Sequence, residues 1–136
     1  MIMEWRKQKL IDIASVFDDG NWIESKDQSA KGFWLVQTGN IGVISFRDKE
    51  HKRFVSEETF KRLKCTEIFT GDILISRLPD PVGRACIVPK VSYRMLTSVD
   101  CTILRLKKDY EVRFINYLLN AEKSKSQVYQ MVTGSS

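Results

Sequence analysis

Two apolar runs flank a proline-containing loop near the middle of the chain, and they require a buried sheet. Residues 69–90 have the sequence FTGDILISRLPDPVGRACIVPK. Apolar runs bounded by turn residues are typical of buried strands, so the segment predicts a strand, a loop and a second strand. Pro79 and Pro81 restrict the loop backbone, and Gly83 permits a turn. The loop is therefore expected to present Arg77 and Arg84 from a stiff connection.

Two segments before this loop have their own periodicity. A short helix ending at the turn DDGN (18–21) is predicted by four apolar residues at helical spacing: Leu10, Ile13, Ala14 and Phe17. The segment GFWLVQTGNIGVISF (32–46) is rich in β-branched and aromatic residues and is interrupted at Thr38-Gly39-Asn40. This pattern predicts two strands around a tight turn.

Three further elements follow from local signals. Ser56 is placed to cap a helix whose first turn carries Glu57 and Glu58, the sign that a helix dipole favours. Residues 100–108 alternate as a strand does. After Asp109 the pattern is helical and predicts two segments. The first carries Val112, Ile115 and Leu119 on one face, and the second carries Val128, Met131 and Val132.

Length and composition bound the class of protein. The 136 residues are 43% hydrophobic, enough for one core, so residues 1–136 are expected to form a single domain. We predict an α+β fold with a twisted, mixed and mostly antiparallel sheet and two to three peripheral helices. Lysine and arginine outnumber aspartate and glutamate by 22 to 17, a balance that moderately favours a polyanionic partner.

The sequence lacks the residues that several classes of function require. Three scattered cysteines and one histidine argue against a zinc site or a disulfide framework, and no apolar run is long enough for a membrane span. A cytoplasmic protein without membrane contact is expected. Neither a glycine-rich cofactor loop, a clustered carboxylate site nor a nucleophile triad is recognisable, which predicts a non-catalytic chain that needs no cofactor.

The order of short motifs resembles a known family. The motifs are Trp5 with residues 10–13 (LIDI), residues 20–22 (GNW), residues 38–41 (TGNI), residues 71–77 (GDILISR) with Gly83-Arg84, residues 117–119 (YLL) and the closing Gly134-Ser135. This arrangement resembles a target recognition domain of the specificity subunit of type I restriction-modification systems. The resemblance extends over nearly the whole chain, and its most specific parts are the GDILIS block and the closing Gly-Ser.

The resemblance implies sequence-specific binding of double-stranded DNA. Such a domain directs a separate methyltransferase (M) subunit and a separate motor endonuclease (R) subunit. Family members usually carry two recognition domains joined by long spacer helices, whereas the spacer helix and the second domain are absent from residues 1–136.

Candidate DNA contacts come from the polar loops and turns. They are Thr38, Asn40, Arg47, Lys49, Lys52, Arg53, Arg77, Arg84 and Ser135. Thr38 and Asn40 have side chains able to bond base edges, and Arg84 is expected to contact phosphate. For the charged residues the alternative is an ordinary solvated loop.

Two groups of residues are expected to be structural. Gly71-Asp72 predicts a turn in which Asp72 bonds nearby backbone amides, and Trp22, Phe33 and Trp34 are expected in the core. Two alternative functions stay open: a small nuclease or DNA-modification enzyme with an atypical site, and an RNA-binding or protein-interaction module.

Overall fold

The computed structural model describes residues 10–79 and 81–121, whose strands form two four-stranded sheets. The strands are β1 (Ala14–Asp19), β2 (Phe33–Val36), β3 (Phe54–Val55), β4 (Glu67–Ile68), β5 (Ile73–Ser76), β6 (Ala85–Ile87), β7 (Met95–Thr97) and β8 (Cys101–Leu106). Residues 10–13 form a helical turn, and the two helices are α1 (Glu57–Arg62) and α2 (Val112–Asn120). Short 3-10 turns occupy Ser25–Asp27 and Thr38–Asn40.

The first sheet is antiparallel and has the order β1-β8-β5-β6. Successive side chains of a strand point to opposite faces, so β5 serves two layers. Ile73 and Ile75 pack in one cluster with Leu10 and with Ile115 of α2. Leu74 belongs to a second cluster, on the side of the other sheet. All four residues of β5 are consequently buried, which is why residues 73–75 are apolar in succession.

The second sheet has the order β3-β2-β7-β4, with β2 and β7 parallel and the other pairs antiparallel. Trp34 shares the second cluster with Leu74 of the first sheet. The neighbouring Phe33 faces the other way, where its ring stacks on Phe60 of α1 at 4.1 Å between centroids. The helical turn at residues 10–13 and α2 therefore cover the first sheet, the second sheet packs on its other face, and α1 covers the second sheet. This arrangement confirms the α+β class with peripheral helices and mostly antiparallel strands.

Several predicted elements are confirmed. The predicted strand, loop and strand are β5, the loop at residues 77–84 and β6, and the predicted strand at residues 100–108 is β8. Ser56 caps α1 by accepting a hydrogen bond from the Thr59 amide at 3.1 Å. Asp72 accepts from the Phe69 amide at 2.8 Å, which closes the predicted turn.

Two predicted elements are wrong. The helix at Leu10 ends at residue 13, because Ala14–Asp19 pairs with β8 and forms an edge strand instead. Residues 33–46 are not a hairpin of two strands: Thr38–Asn40 forms a 3-10 turn, and only an isolated bridge joins Ile41 to Phe46. In both places long-range pairing outweighs the local pattern.

The core prediction is confirmed for Phe33 and Trp34, which are 5% and 1% exposed. It is wrong for Trp22, which is 70% exposed and lies beyond β1, in the segment after the strand ends at Asp19. The second helical segment predicted around Val128 lies outside the described residues, as does Ser135.

Candidate nucleic-acid interface

Arg84 joins two of the loops that carry predicted DNA contacts. Its side chain is only 4% exposed. The guanidinium donates to the carbonyls of Thr38 at 2.9 Å, Leu78 at 2.9 Å and Pro81 at 3.2 Å, and also to that of Ile41. Hydrogen bonds from a charged donor are stronger than neutral ones, and the planar guanidinium fixes their directions. Arg84 therefore fixes the 3-10 turn against the loop at residues 77–83.

The loop at residues 77–83 is further braced by its own hydrogen bonds. The Ser76 hydroxyl donates to the Leu78 carbonyl at 2.7 Å and accepts from the Leu78 amide at 3.1 Å. The Gly83 amide donates to the Ser76 carbonyl at 2.9 Å, with Gly83 at a φ of 88° that glycine adopts without strain. Side chains at the rim of this loop are thus presented from a constrained backbone.

Arg77 lies at the start of this loop and is partly exposed. Its guanidinium donates to the Asp19 carboxylate at 2.8 Å and to the Val99 carbonyl at 3.2 Å. The exposed fractions of the Arg77 and Asp19 side chains are 26% and 41%, so water screens the ion pair. A phosphate or a base edge could compete for this guanidinium with little loss of folding free energy.

The 3-10 turn holds the segment that follows it through Asn40. The Asn40 side chain accepts from the Gln37 amide at 3.0 Å and donates to the Arg47 carbonyl at 2.8 Å. The Arg47 amide returns a bond to the Asn40 carbonyl at 2.7 Å. Asn40 is 7% exposed, so its amide group positions Arg47 while Arg47 itself is exposed.

Two exposed cations lie against glycines of the same region. A Cβ atom on Gly39 would stand 3.0 Å from the Lys49 ammonium, and one on Gly42 would stand 3.0 Å from Nε of Arg47. The absence of side chains at these glycines therefore lets both cations pack close to the backbone. Lys49 and Arg47 consequently flank the turn that carries Thr38.

Lys52 and Arg53 border this region in different directions. The Lys52 ammonium lies 5.0 Å from the centroid of the Trp34 ring and 3.1 Å from the Asp48 carboxylate. Arg53 instead donates to the Gln28 side chain at 3.1 Å.

The predicted residues thus divide into three groups. We use the name basic loop face for the region of Thr38, Asn40, Arg47, Lys49 and Lys52, with Arg84 beneath it and Arg77 on the adjoining loop. Arg53 lies at its margin, and Ser135 lies outside the described residues. Contact of these residues with DNA stays a prediction. For Arg84 the four carbonyl acceptors favour an indirect contribution, since a phosphate would have to displace them.

Sequence reasoning missed an apolar tip on this face. Val43 and Ile44 are 42% and 47% exposed, at the end of a turn closed by a 2.9 Å bond from the Gly42 amide to the Ser45 carbonyl. The only signal in the sequence is Gly42, which stands directly before the two aliphatic residues.

The remaining titratable groups are structural in character. Burial raises the pKa of Cys86 to about 12 and that of Cys101 to about 11, so both thiols are protonated at neutral pH and are poor nucleophiles. The hydrogen bond to Asp72 raises the pKa of Arg105 and keeps that ion pair charged. Across the described ranges, no three His, Cys, Asp or Glu side chains are grouped closely enough to hold a metal ion. Among the same residues, no helix has the length and hydropathy needed to cross a bilayer.

A groove of about 550 Å³ lies at the opposite end of the first sheet. Its lining includes Phe69, Asp72, Arg105, Lys107 and Tyr110. Arg105 is held there by two hydrogen bonds to Asp72 at 2.8 and 2.9 Å. The guanidinium of Arg105 is therefore already paired with Asp72, whereas Arg47 and Lys49 on the basic loop face have solvent-exposed side chains.

The fold has counterparts among solved structures. The HsdS subunit from Thermoanaerobacter tengcongensis matches with a TM-score of 0.54 and 15% identity, over 93% of this chain and 28% of that chain. A chain from a structure on complex assembly and conformational transition of the type I R-M system matches with a TM-score of 0.56 and 15% identity, over 93% of this chain and 36% of that one. No family model and no curated protein matches the sequence.

This chain therefore spans about a third of the length of the solved chains it matches. At 15% identity the similarity is one of fold. The predicted resemblance to a type I specificity subunit is confirmed at that level.

Proposed function

We propose that the chain binds double-stranded DNA in a sequence-specific manner, as the target-recognition module of a type I restriction-modification specificity subunit. The observation that carries the proposal is the fold shared with an HsdS subunit over 93% of the chain. Fold alone does not imply function, so the site has to support the assignment as well. Here the support is a braced set of loops that places exposed cations beside polar side chains.

The basic loop face suits duplex DNA. Arg47 and Lys49 are exposed and lie against Gly42 and Gly39, where a polyanion can approach the backbone closely. Phosphate contacts from such side chains supply affinity and fix the register, whereas base-edge contacts supply specificity. In the proposed complex Thr38 and Arg47 contact base edges, and Lys49 and Lys52 contact phosphate. The Arg77 guanidinium leaves the Asp19 carboxylate and binds DNA instead. Arg84 and Asn40 hold these side chains in position.

The partners of the proposed complex are a methyltransferase subunit and a motor endonuclease subunit of the same system. Residues 1–136 correspond to about a third of a matched chain, so the proposed unit is one recognition domain. Catalysis would belong to the partners. Cleavage or methylation of plasmid DNA by the purified 136-residue chain, lost on changing one acidic residue, would contradict this assignment.

DNA binding is tested by fluorescence anisotropy with a random-sequence duplex pool over a range of salt concentrations. A single module that neutralises about four to six phosphates should give a slope of log affinity against log salt of about −4 to −5. Arg47→Ala and Lys49→Ala should each weaken binding, and loss of one phosphate contact should reduce the slope by about one.

Lys107→Ala is the matched control. Lys107 is an exposed cation just beyond the other end of β8, about 20 Å along the strand from the start of the loop face. Equal losses for Lys107→Ala and Lys49→Ala would mean that DNA binds through general positive charge and not through the basic loop face. Absence of binding at low salt would refute the proposed function.

A further inference from the structure

The Val43–Ile44 tip projects two aliphatic side chains from the basic loop face. The turn is closed by the bond from the Gly42 amide to the Ser45 carbonyl and by the bridge between Ile41 and Phe46. Folded proteins have exposed aliphatic residues elsewhere, and exposure alone would not be informative. The backbone of this tip supplies the further observation.

Ile44 has a φ of 73°, in the left-handed region. A β-branched residue is a genuine outlier there, because its side chain crowds the backbone. Glycine or asparagine would occupy this position without that strain. Strained conformations that the surrounding structure maintains are concentrated at functional sites.

Both backbone groups of Ile44 are held by the interior of the domain. Its amide donates to the Ala85 carbonyl of β6 at 2.9 Å, and its carbonyl accepts from the Asn116 side chain of α2 at 2.9 Å. Asn116 is 2% exposed, and its own carbonyl accepts from Asn120 at 2.7 Å. The tip is thus anchored to two core elements while its side chain stays 47% exposed.

The surroundings of the tip favour nucleic acid over a protein partner. Arg47 lies against Gly42, directly before the tip, and Lys49 lies against Gly39. Cores of protein interfaces are depleted of charge, whereas an apolar contact flanked by cations is suited to a base edge between two phosphate strands. The major groove admits a two-stranded ribbon and displays one apolar group, the C5-methyl of thymine.

We propose that the Val43–Ile44 tip enters the major groove and contacts the C5-methyl group of a thymine in the recognised sequence. The tip is then a specificity-determining contact that selects thymine over cytosine or uracil. This inference depends on the DNA binding proposed above, and it adds the identity of one base to that function.

The test replaces thymine by uracil, which pairs identically and lacks only the methyl group. A preferred duplex is first selected from a random pool with the 136-residue chain, and each thymine in it is then replaced singly. We expect a loss of about four-fold in affinity at one or two positions, the equivalent of about 0.8 kcal/mol for one buried methyl-sized group. Equal affinity for all uracil duplexes would overturn the inference, and this comparison needs no protein variant.

The double variant Val43→Ser/Ile44→Asn identifies the tip as the contact. Asparagine tolerates a positive φ, so this variant should fold at least as well as the wild type. It should bind the thymine and uracil duplexes equally. Persisting discrimination by the double variant would also overturn the inference.

Ile11→Asn is the control, because Ile11 is an exposed aliphatic residue (67%) on the helical turn at the other end of the first sheet. It should retain the full discrimination of the wild type. Loss of a pull-down with a methyltransferase subunit in the tip variant, together with wild-type indifference to uracil, would assign the tip to a protein interface and overturn the inference. Failure of the wild type to bind any duplex would refute the proposed function itself, which makes the two failures distinguishable.

Discussion

Replacement of Arg84 by alanine should destabilise the domain more than any other single change on the basic loop face. The side chain is 4% exposed, and its guanidinium supplies donors to four backbone carbonyls, those of Thr38, Ile41, Leu78 and Pro81. The carbonyls of Thr38, Leu78 and Pro81 each keep one other donor, so the cost is that of losing hydrogen bonds from a charged donor, about 1.5–3 kcal/mol each. If water entering the vacated space satisfies two of the four, the other two amount to a loss of about 4 kcal/mol in the free energy of unfolding.

This loss converts into a large change in melting temperature. With about 2.1 cal/mol/K of unfolding entropy per residue, a domain of 136 residues has an unfolding entropy of about 0.29 kcal/mol/K. The Arg84→Ala midpoint should therefore fall by about 14 °C. Circular dichroism melts of the wild type and the variant measure it directly.

Two companion variants separate structure from charge. Arg84→Lys keeps the charge but loses the planar array of donors, so it should recover only part of the lost stability. Arg77→Ala removes a partly exposed ion pair with Asp19 and should lower the unfolding free energy by about 1 kcal/mol or less. An Arg84→Ala domain that melts like the wild type but binds DNA more weakly would refute the structural role. It would instead support the phosphate contact predicted from the sequence.

Three further predictions concern other parts of the fold. Asn120→Ala should lower the unfolding free energy by about 2 kcal/mol in urea titrations, because the amide and carbonyl of Ala85 both lose their Asn120 partner; an unchanged midpoint would contradict this. Ser56→Ala should cost about 1 kcal/mol, since the Thr59 amide loses its acceptor, and Ser56→Asp should restore most of it in the same melts. Iodoacetamide at pH 8 should modify the partly exposed Cys65 before Cys86 and Cys101, because burial raises the pKa of Cys86 to about 12 and that of Cys101 to about 11. Intact mass spectrometry with and without denaturant gives the order of modification, and early modification of Cys86 would refute the prediction.

Elements with a strong local signal could be predicted from the sequence. Residues 73–75 of β5 and 85–87 of β6 are apolar on both faces because layers pack on either side of the sheet. They appear in the sequence as two uninterrupted apolar runs. The cap at Ser56 and the turn at Asp72 are formed within three residues. Such features do not depend on distant parts of the chain.

Elements defined by distant partners could not be predicted. β1 forms because Asp19 pairs with Thr102 in β8, and no local pattern records that pairing. The burial of Arg84 depends on carbonyls 43 and 46 residues away, at Ile41 and Thr38. A backbone carbonyl is present at every position, so the sequence carries no mark of these acceptors. The arginine could be singled out from the sequence, whereas its burial could not.

The use of backbone acceptors by Arg84 has an evolutionary consequence. Every residue type carries a carbonyl, so substitutions at positions 38, 41, 78 and 81 leave the acceptors of the guanidinium in place. Loops fixed in this way can diversify their side chains while the scaffold retains its geometry. A recognition surface under selection to change its target could therefore vary Thr38 or Leu78 freely, provided that the arginine beneath them is retained.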